Sequence, residues 1–289
     1  MNDRPLGFPG ACDTHMHFYS SAHPTSPQAT LFPPDATVAD YRTLQDELGL
    51  ERVVVVQPTT YGMDNRCQLE GMAPFGHSAR GVMVVDSSTP TAELERLSAL
   101  GVVGARFHML PGGAVGWDEL TPTAAAIADH GWHIQLQLDG NELDHRFDQL
   151  AALPTPLVVD HIGRFMPPTT TLDAPSVRAL CSLLDNGRTW VKLSAPYEST
   201  AATPPTHPEV LPLVDHLVRH WPERLLWASN WPHPGQADPL TPGDLVDLAE
   251  RWLPTADLRR RVLVDNAAAL YGFPAGSESP AAAISEESR

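Results

Sequence analysis

Ala11-Cys12-Asp13-Thr14-His15-Met16-His17-Phe18 is the most informative stretch of the chain. Its apolar and β-favouring residues read as a strand, and it ends in two histidines spaced two apart. A glycine-rich phosphate turn does not follow it; the proline-rich segment 20–35 does. Seven more segments rich in Val, Ile, Leu and Thr read as strands: 52–57, 80–85, 102–109, 133–138, 156–162, 189–194 and 224–231. Most are apolar on both faces, as parallel strands covered by helices must be. Between them lie amphipathic helical patterns at 91–100, 121–130, 174–186, 208–220 and 243–252, with a last helix over 256–270. The clearest starts at Thr37, which with Asp40 forms a capping pair before Val38, Tyr41, Leu44 and Leu48 line one face. Strand starts recur every ~20–40 residues, the size of a βα unit. Eight such units predict a (β/α)8 TIM barrel in a single domain, with its active site at the C-terminal strand ends. A doubly wound open sheet is the alternative, disfavoured because strand one lacks the glycine-rich loop.

Composition narrows the function. The 289 residues are 42% hydrophobic, enough for a full core. With 19 basic and 35 acidic residues, the formal charge of -16 disfavours nucleic acid and anionic membranes as partners. The longest aliphatic run, Val53 to Val56, is far short of the ~20 residues of a membrane span. Residues 1–10 lack the basic and apolar regions of a signal peptide, so a cytoplasmic location is expected. Cys12, Cys67 and Cys181 show no paired spacing and read as small buried side chains. The barrel is expected over 1–274, and the Ser-, Glu- and Ala-rich segment 275–289 as a disordered tail. Proline-rich stretches at 20–35 and 199–208 read as long βα loops that build the pocket.

Strand alternation puts His15 and His17 on one face, able to share a ligand, with Asp13 on that face one layer deeper. On strand six His161 shares a face with Val159, taken as the inward one, and Arg164 follows in the loop. Arg106 near the end of strand four suits a carboxylate or an oxyanion. Strand seven puts Lys192, the single lysine, on the same face as Ser194. If Ser194 faces the pocket, Lys192 lies level with Asp13, so an Asp13–Lys192 ion pair is expected. Strand eight ends at Asn230, with His233 in the loop beyond. There is no Gly-x-Ser-x-Gly elbow and no His-Glu-x-x-His pair.

These residues, in order, resemble the amidohydrolase superfamily (amidohydrolase family 2). Within it the similarity is to the branch of 2-pyrone-4,6-dicarboxylate lactonase and related sugar-lactone hydrolases and isomerases. The pieces are Cys12 to His17, Tyr61 to Asn65, Gly101 to Phe107, Asp160 to Arg164, Val191 to Ser194, Trp231 to Pro234 and Asp265 to Phe273. The resemblance implies a distorted (β/α)8 barrel that hydrolyses a lactone. Metal-binding members carry histidines on strands one, five and six, a lysine or glutamate on strand four and an aspartate on strand eight. Here His15, His17 and His161 match, but strand five offers Gln135 and Gln137, and strand four has no match. The lactonase branch is similar in this and works without metal, so no cofactor is expected; a zinc ion at His15 and His17 is the alternative. In that branch histidines and arginines hold the substrate and polarise its carbonyl, roles that fall here to His15, His17, His161, Arg106 and Arg164. Gln57, Tyr61, Gln135, Ser194, Tyr197 and His233 complete the expected substrate-binding set.

The main departure is Asn230, where the resemblance implies an aspartate that takes a proton from water. A carboxamide cannot do this, so either another base acts, His161 or His17 being nearest, or the chain is a variant disabled at Asn230. A second departure is Glu198, where relatives often carry an arginine after the tyrosine; it argues against a doubly charged dicarboxylate. The leading function is metal-independent hydrolysis of a carboxylated or hydroxylated lactone by a monomer or homodimer. A zinc-dependent hydrolase or decarboxylase, and a binding protein without turnover, are the competing readings.

Overall fold

In the computed structural model, which describes residues 6–166, 171–200 and 207–274, eight parallel strands pair in chain order. They are β1 (Cys12–Met16), β2 (Arg52–Val56), β3 (Ala79–Met83), β4 (Val102–His108), β5 (His133–Gln137), β6 (Leu157–Val159), β7 (Thr189–Leu193) and β8 (Leu225–Trp227). Past the end of β8, a parallel bridge from Trp231 to Met16 brings the last strand against the first. The single-domain (β/α)8 barrel expected from the spacing is the fold observed. The tail at 275–289 and most of the loop at 199–208 lie outside the described residues.

The helices are α1 (Val38–Leu48), α2 (Arg66–Met72), α3 (Thr91–Ala99), α4 (Trp117–Ala128), α5 (Leu143–Ala151), α6 (Pro175–Asp185), α7 (Leu211–His220), α8 (Pro242–Trp252), α9 (Ala256–Arg260) and α10 (Asn266–Tyr271). Thr37 and Asp40 cap α1 reciprocally, and Tyr41, Leu44 and Leu48 form its buried stripe. Two helices escape the sequence reading. Both α2 and α5 are short, and α5 crowds charged residues around Leu143, Phe147 and Leu150, so burial against the sheet outweighs a weak local signal. Helix α4 starts at Trp117, with Pro122 inside it; read locally, that proline marks a helix's first turn. None of the helices among the described residues is long and apolar enough to cross a membrane.

The barrel interior is layered. Cys12, Val54, Val82, Val158, Trp190 and Leu226 form an apolar layer with Tyr271 and Phe273, each aliphatic side chain contributing about 1.5–3 kcal/mol by burial. The segment after α10 closes the N-terminal end, where Arg80 donates to the carbonyls of Tyr271 and Gly272 and Arg52 to that of Pro274. Above the apolar layer the interior becomes polar, and that layer carries the chemistry.

Two faces differ from the alternation expected. In β1, Asp13 opposes Val53 but Met16 opposes Val55, so one extra residue is inserted. Such a bulge reverses the alternation beyond it. Asp13 therefore does not lie beneath the histidines. Its carboxylate accepts from Tyr41 of α1 (3.1 Å) and from the Ser229 hydroxyl (2.5 Å) and backbone N–H (3.0 Å). On β6, Val158 and Asp160 face inward, whereas Val159 packs among the helix-facing core residues. His161 reaches the mouth because the chain turns there into left-handed conformation, with φ of 52° at His161 and 57° at Ile162.

Candidate active site

At the C-terminal mouth a cavity of about 240 Å³ is lined by His17, Tyr19, Leu31, Thr59, Arg106, His108, Gln137, His161, Arg164, Glu198 and Asn230, among others. The β1–α1 loop contributes Thr30 and Leu31 to its wall, as its position after the first strand leads one to expect. His161, Ile162, Arg164, Ala195, Asn230 and His233 all have positive φ. Left-handed backbone costs a non-glycine residue roughly 1–2 kcal/mol, and here it gathers at the ends of β6, β7 and β8, around the cavity.

Beneath the cavity lies a buried polar network centred on Asp160. Its Oδ1 is 3.3 Å from His15 Nδ1 and 3.7 Å from Lys192 Nζ, while Oδ2 accepts from Gln135 Nε2 at 3.2 Å and sits 3.5 Å from Arg106 Nη1. Lys192 Nζ also donates to Gln135 Oε1 and to the Thr14 carbonyl, both at 2.7 Å. The expected Asp13–Lys192 pair is thus corrected: Lys192 pairs with Asp160, because the β1 bulge turns Asp13 away and β6 turns Asp160 inward. Burial alone would raise the Asp160 carboxyl, but Lys192 and Arg106 outweigh it and hold it below its ordinary value. Burial lowers Lys192 to about 8 against the opposing pull of Asp160.

The histidines above this network are neutral at physiological pH. Burial, then Lys192 and Arg106, holds His15 well below its ordinary value; burial and then Arg106 take His17 to about 3. Burial and the neighbouring His15 hold His161 well below its ordinary value. Their hydrogen bonds set the tautomers. His17 Nδ1 lies 2.7 Å from the Val56 carbonyl and must donate to it, so Nε2 keeps its lone pair. That nitrogen is 3.2 Å from His15 Nε2, and Arg106 Nη1 lies 3.0 Å from the same His15 atom. Arg106 Nη2 donates to Gln137 Oε1 at 2.6 Å. Ser194 Oγ is 2.9 Å from His161 Nδ1 and fixes that ring.

The β8 mouth carries a second chain of contacts. Asn230 Nδ2 donates to the Tyr197 hydroxyl at 2.8 Å, which in turn is 3.0 Å from His233 Nδ1. With the hydroxyl donating to His233, Asn230 Oδ1 is left as an acceptor, buried at the cavity wall with no partner among the described residues. At the rim, Arg164 Nε donates to Glu198 Oε2 at 2.8 Å.

His17, His161, Arg106, Arg164 and Asn230 therefore line the cavity together. His15 and Gln135 lie in its floor, and Ser194, Tyr197 and His233 support lining residues. Gln57 and Tyr61 are not among these lining residues. Gln57 Nε2 donates to the carbonyls of Gly62 and Asp64, while its buried Oε1 has no partner among the described residues and the side chain lines a small adjoining pocket with Arg106 and His108. The Tyr61 hydroxyl bonds the backbone of Ser20 in both senses. Tyr19, His108 and the hub Asp160 are site residues that the sequence pattern does not mark, and Gln137 joins them from strand five. The acid beside His161 is the signal the sequence holds for Asp160, but simple alternation points Val159 inward in its place.

A closed barrel whose C-terminal mouth gathers histidines, arginines and an inward carboxylate is the architecture of an amidohydrolase-type enzyme. The chain belongs to the amidohydrolase family, whose profile matches residues 12–273. It is 36% identical over 267 residues to the D-galactarolactone isomerase of Agrobacterium fabrum, covering 91% of each chain. It is 35% identical over 277 residues to the 2-pyrone-4,6-dicarboxylate hydrolase of Comamonas testosteroni, covering 91% of this chain and 90% of the relative. The crystal structure of an Agrobacterium tumefaciens protein in its apo form superposes with a TM-score of 0.88 at 34% identity, over 94% of this chain and 99% of that one.

Proposed function

We propose that the chain hydrolyses a lactone to its hydroxy acid without a metal ion. The observation that carries this reading is the Arg106 guanidinium, held in a nearly dry floor against neutral imidazoles. A fixed cation in a low-dielectric site is what a developing oxyanion requires. Two of the relatives named above are a D-galactarolactone isomerase and a 2-pyrone-4,6-dicarboxylate hydrolase, both named for cyclic esters, which supports the substrate class.

His15, Asp160 and His161 each offer a ligand atom within 4.8 Å of the others, the donor types a divalent metal takes. Charge argues against that use. Asp160 already balances Arg106 and Lys192 at 3.5 and 3.7 Å, and Arg106 Nη1 occupies the neighbourhood of His15 Nε2. A dication there would join two fixed cations around one carboxylate. At the β8 mouth stands a neutral amide whose nitrogen is committed to Tyr197. These residues fit zinc poorly.

Arg106 and His161 take the ring carbonyl, and Asn230 Oδ1 orients the attacking water. The water oxygen adds to the carbonyl carbon as its proton passes to His17 Nε2. Burial, and then Arg106, depresses His17 in the free protein; the oxyanion neutralises the Arg106 charge as the proton arrives, which removes the Coulombic share of that depression at the moment the base acts. Collapse breaks the ring C–O bond, and the departing oxygen recovers the proton from His17. One water is consumed and one hydroxy acid leaves.

The test is proton release from a panel of lactones, with and without EDTA, for the unmodified protein and His17→Gln. Turnover is expected to survive EDTA and to fall by about 10²–10⁴-fold in His17→Gln, the usual contribution of a general base. Loss of turnover in EDTA restored by zinc would overturn metal independence, and failure to open any lactone would overturn the function.

A further inference from the structure

We propose that Glu198, through its pair with Arg164, makes this site selective for a polyhydroxylated lactone bearing at most one carboxylate. The proposal rests on the lactone reading above and names its substrate class.

Three charged side chains line the cavity among the described residues: Arg106, Arg164 and Glu198. They do different jobs. Arg106 belongs to the floor, where Asp160 and Lys192 leave the buried trio with one net positive charge. That single charge matches one anion, either a ligand carboxylate or the oxyanion of the reaction. Arg164 at the rim is already engaged by Glu198, so the rim adds no net charge. The lining histidines add none either, since burial lowers His17 to about 3 and His108 to about 4 and holds His161 well below its ordinary value. A second carboxylate entering here meets the Glu198 carboxylate beside the one rim cation it could seek.

Asn230 Oδ1 and His17 Nε2 face the attacking water, so the hydrogen-bonding groups left to the rest of the ligand are those of the rim. Glu198 uses one oxygen on one guanidinium N–H, so the rim pair keeps both an acceptor and further donors side by side. Ligand hydroxyls satisfy such a mixed edge because each can donate and accept at once, whereas a carboxylate can only accept.

The experiment uses two probes, D-galactarolactone as the hydroxylated lactone and 2-pyrone-4,6-dicarboxylate as the unhydroxylated dianion. Each is measured by turnover and by calorimetric titration, on the unmodified protein, Glu198→Gln and Glu198→Arg. The unmodified protein is expected to favour the hydroxylated lactone in kcat/KM and in binding. Glu198→Gln should move that preference at least tenfold toward the dianion, and Glu198→Arg further. A shift within twofold, an initial preference for the dianion, or no binding of either probe at millimolar concentration would overturn the proposal. Selective binding without turnover would instead sink the hydrolytic reading and leave the selectivity standing.

Discussion

Asn230 shows how one atom redirects a site. Its amide nitrogen donates to Tyr197, and the tyrosine hydroxyl then serves His233. A carboxylate at 230 would accept from Tyr197 instead, so His233 would lose its donor and the cavity would gain a negative charge near Glu198. Asn230→Asp is therefore expected to lower kcat/KM on whichever lactone the unmodified protein opens. A gain of tenfold or more from a near-zero baseline would show instead that the site lacks only its base. The residue scale is also where alternation misleads. His15 and His17 were readable as a pair from their spacing, but Gln57 and Tyr61 look equally available in the sequence, and the Gln57 amide nitrogen and the Tyr61 hydroxyl are held by loop backbone.

At the scale of elements, β6 and β7, which share no backbone pairing with β1 or β4, are tied to them through buried side chains. Asp160 of the β6 mouth bridges Lys192 on β7, His15 on β1 and Arg106 on β4. Removing one partner of a buried pair strands the others and typically costs 3–5 kcal/mol. Asp160→Asn should therefore lower unfolding stability by about 3 kcal/mol or more in chemical denaturation. Adding Lys192→Met should recover part of that loss, because it removes a cation that Asp160→Asn leaves unpaired. A single-variant loss below about 1 kcal/mol would show that the network carries little of the barrel's stability. The pairing depends on the β1 bulge, which changes which acid faces inward. A bulge is a mismatch between two strands, so neither strand alone announces it.

For the whole molecule, the buried histidines predict acid sensitivity. Burial lowers His17 and His133 to about 3 and His108 and His233 to about 4. Between those values and the ordinary imidazole pKa of about 6.5, the unfolded chain binds protons that the folded chain refuses. Stability therefore rises with pH across this window and is lost as pH falls below about 6.5, at about 1.4 kcal/mol per unit for each histidine while it is neutral only in the folded state. The ionised Asp160 adds to the loss at the acid end, since its folded pKa is depressed. Urea midpoints measured from pH 7 to pH 4 should fall steadily; a flat profile would mean that these rings are protonated in the folded protein.

The sequence by itself determined the barrel, because eight buried strands recurring at βα spacing leave few other ways to cover apolar faces on both sides. It also determined the capped first helix, and it put His15, His17, Arg106 and His161 near C-terminal strand ends, where a barrel concentrates chemistry. Only the tertiary structure decided which acid neutralises Lys192, which imidazole nitrogen keeps its lone pair, and that Arg164 is already matched by Glu198. Those outcomes depend on contacts between residues tens of positions apart, on a bulge set by a neighbouring strand and on desolvation. No local pattern encodes them, because the free energy of a buried charge depends on what else is buried with it.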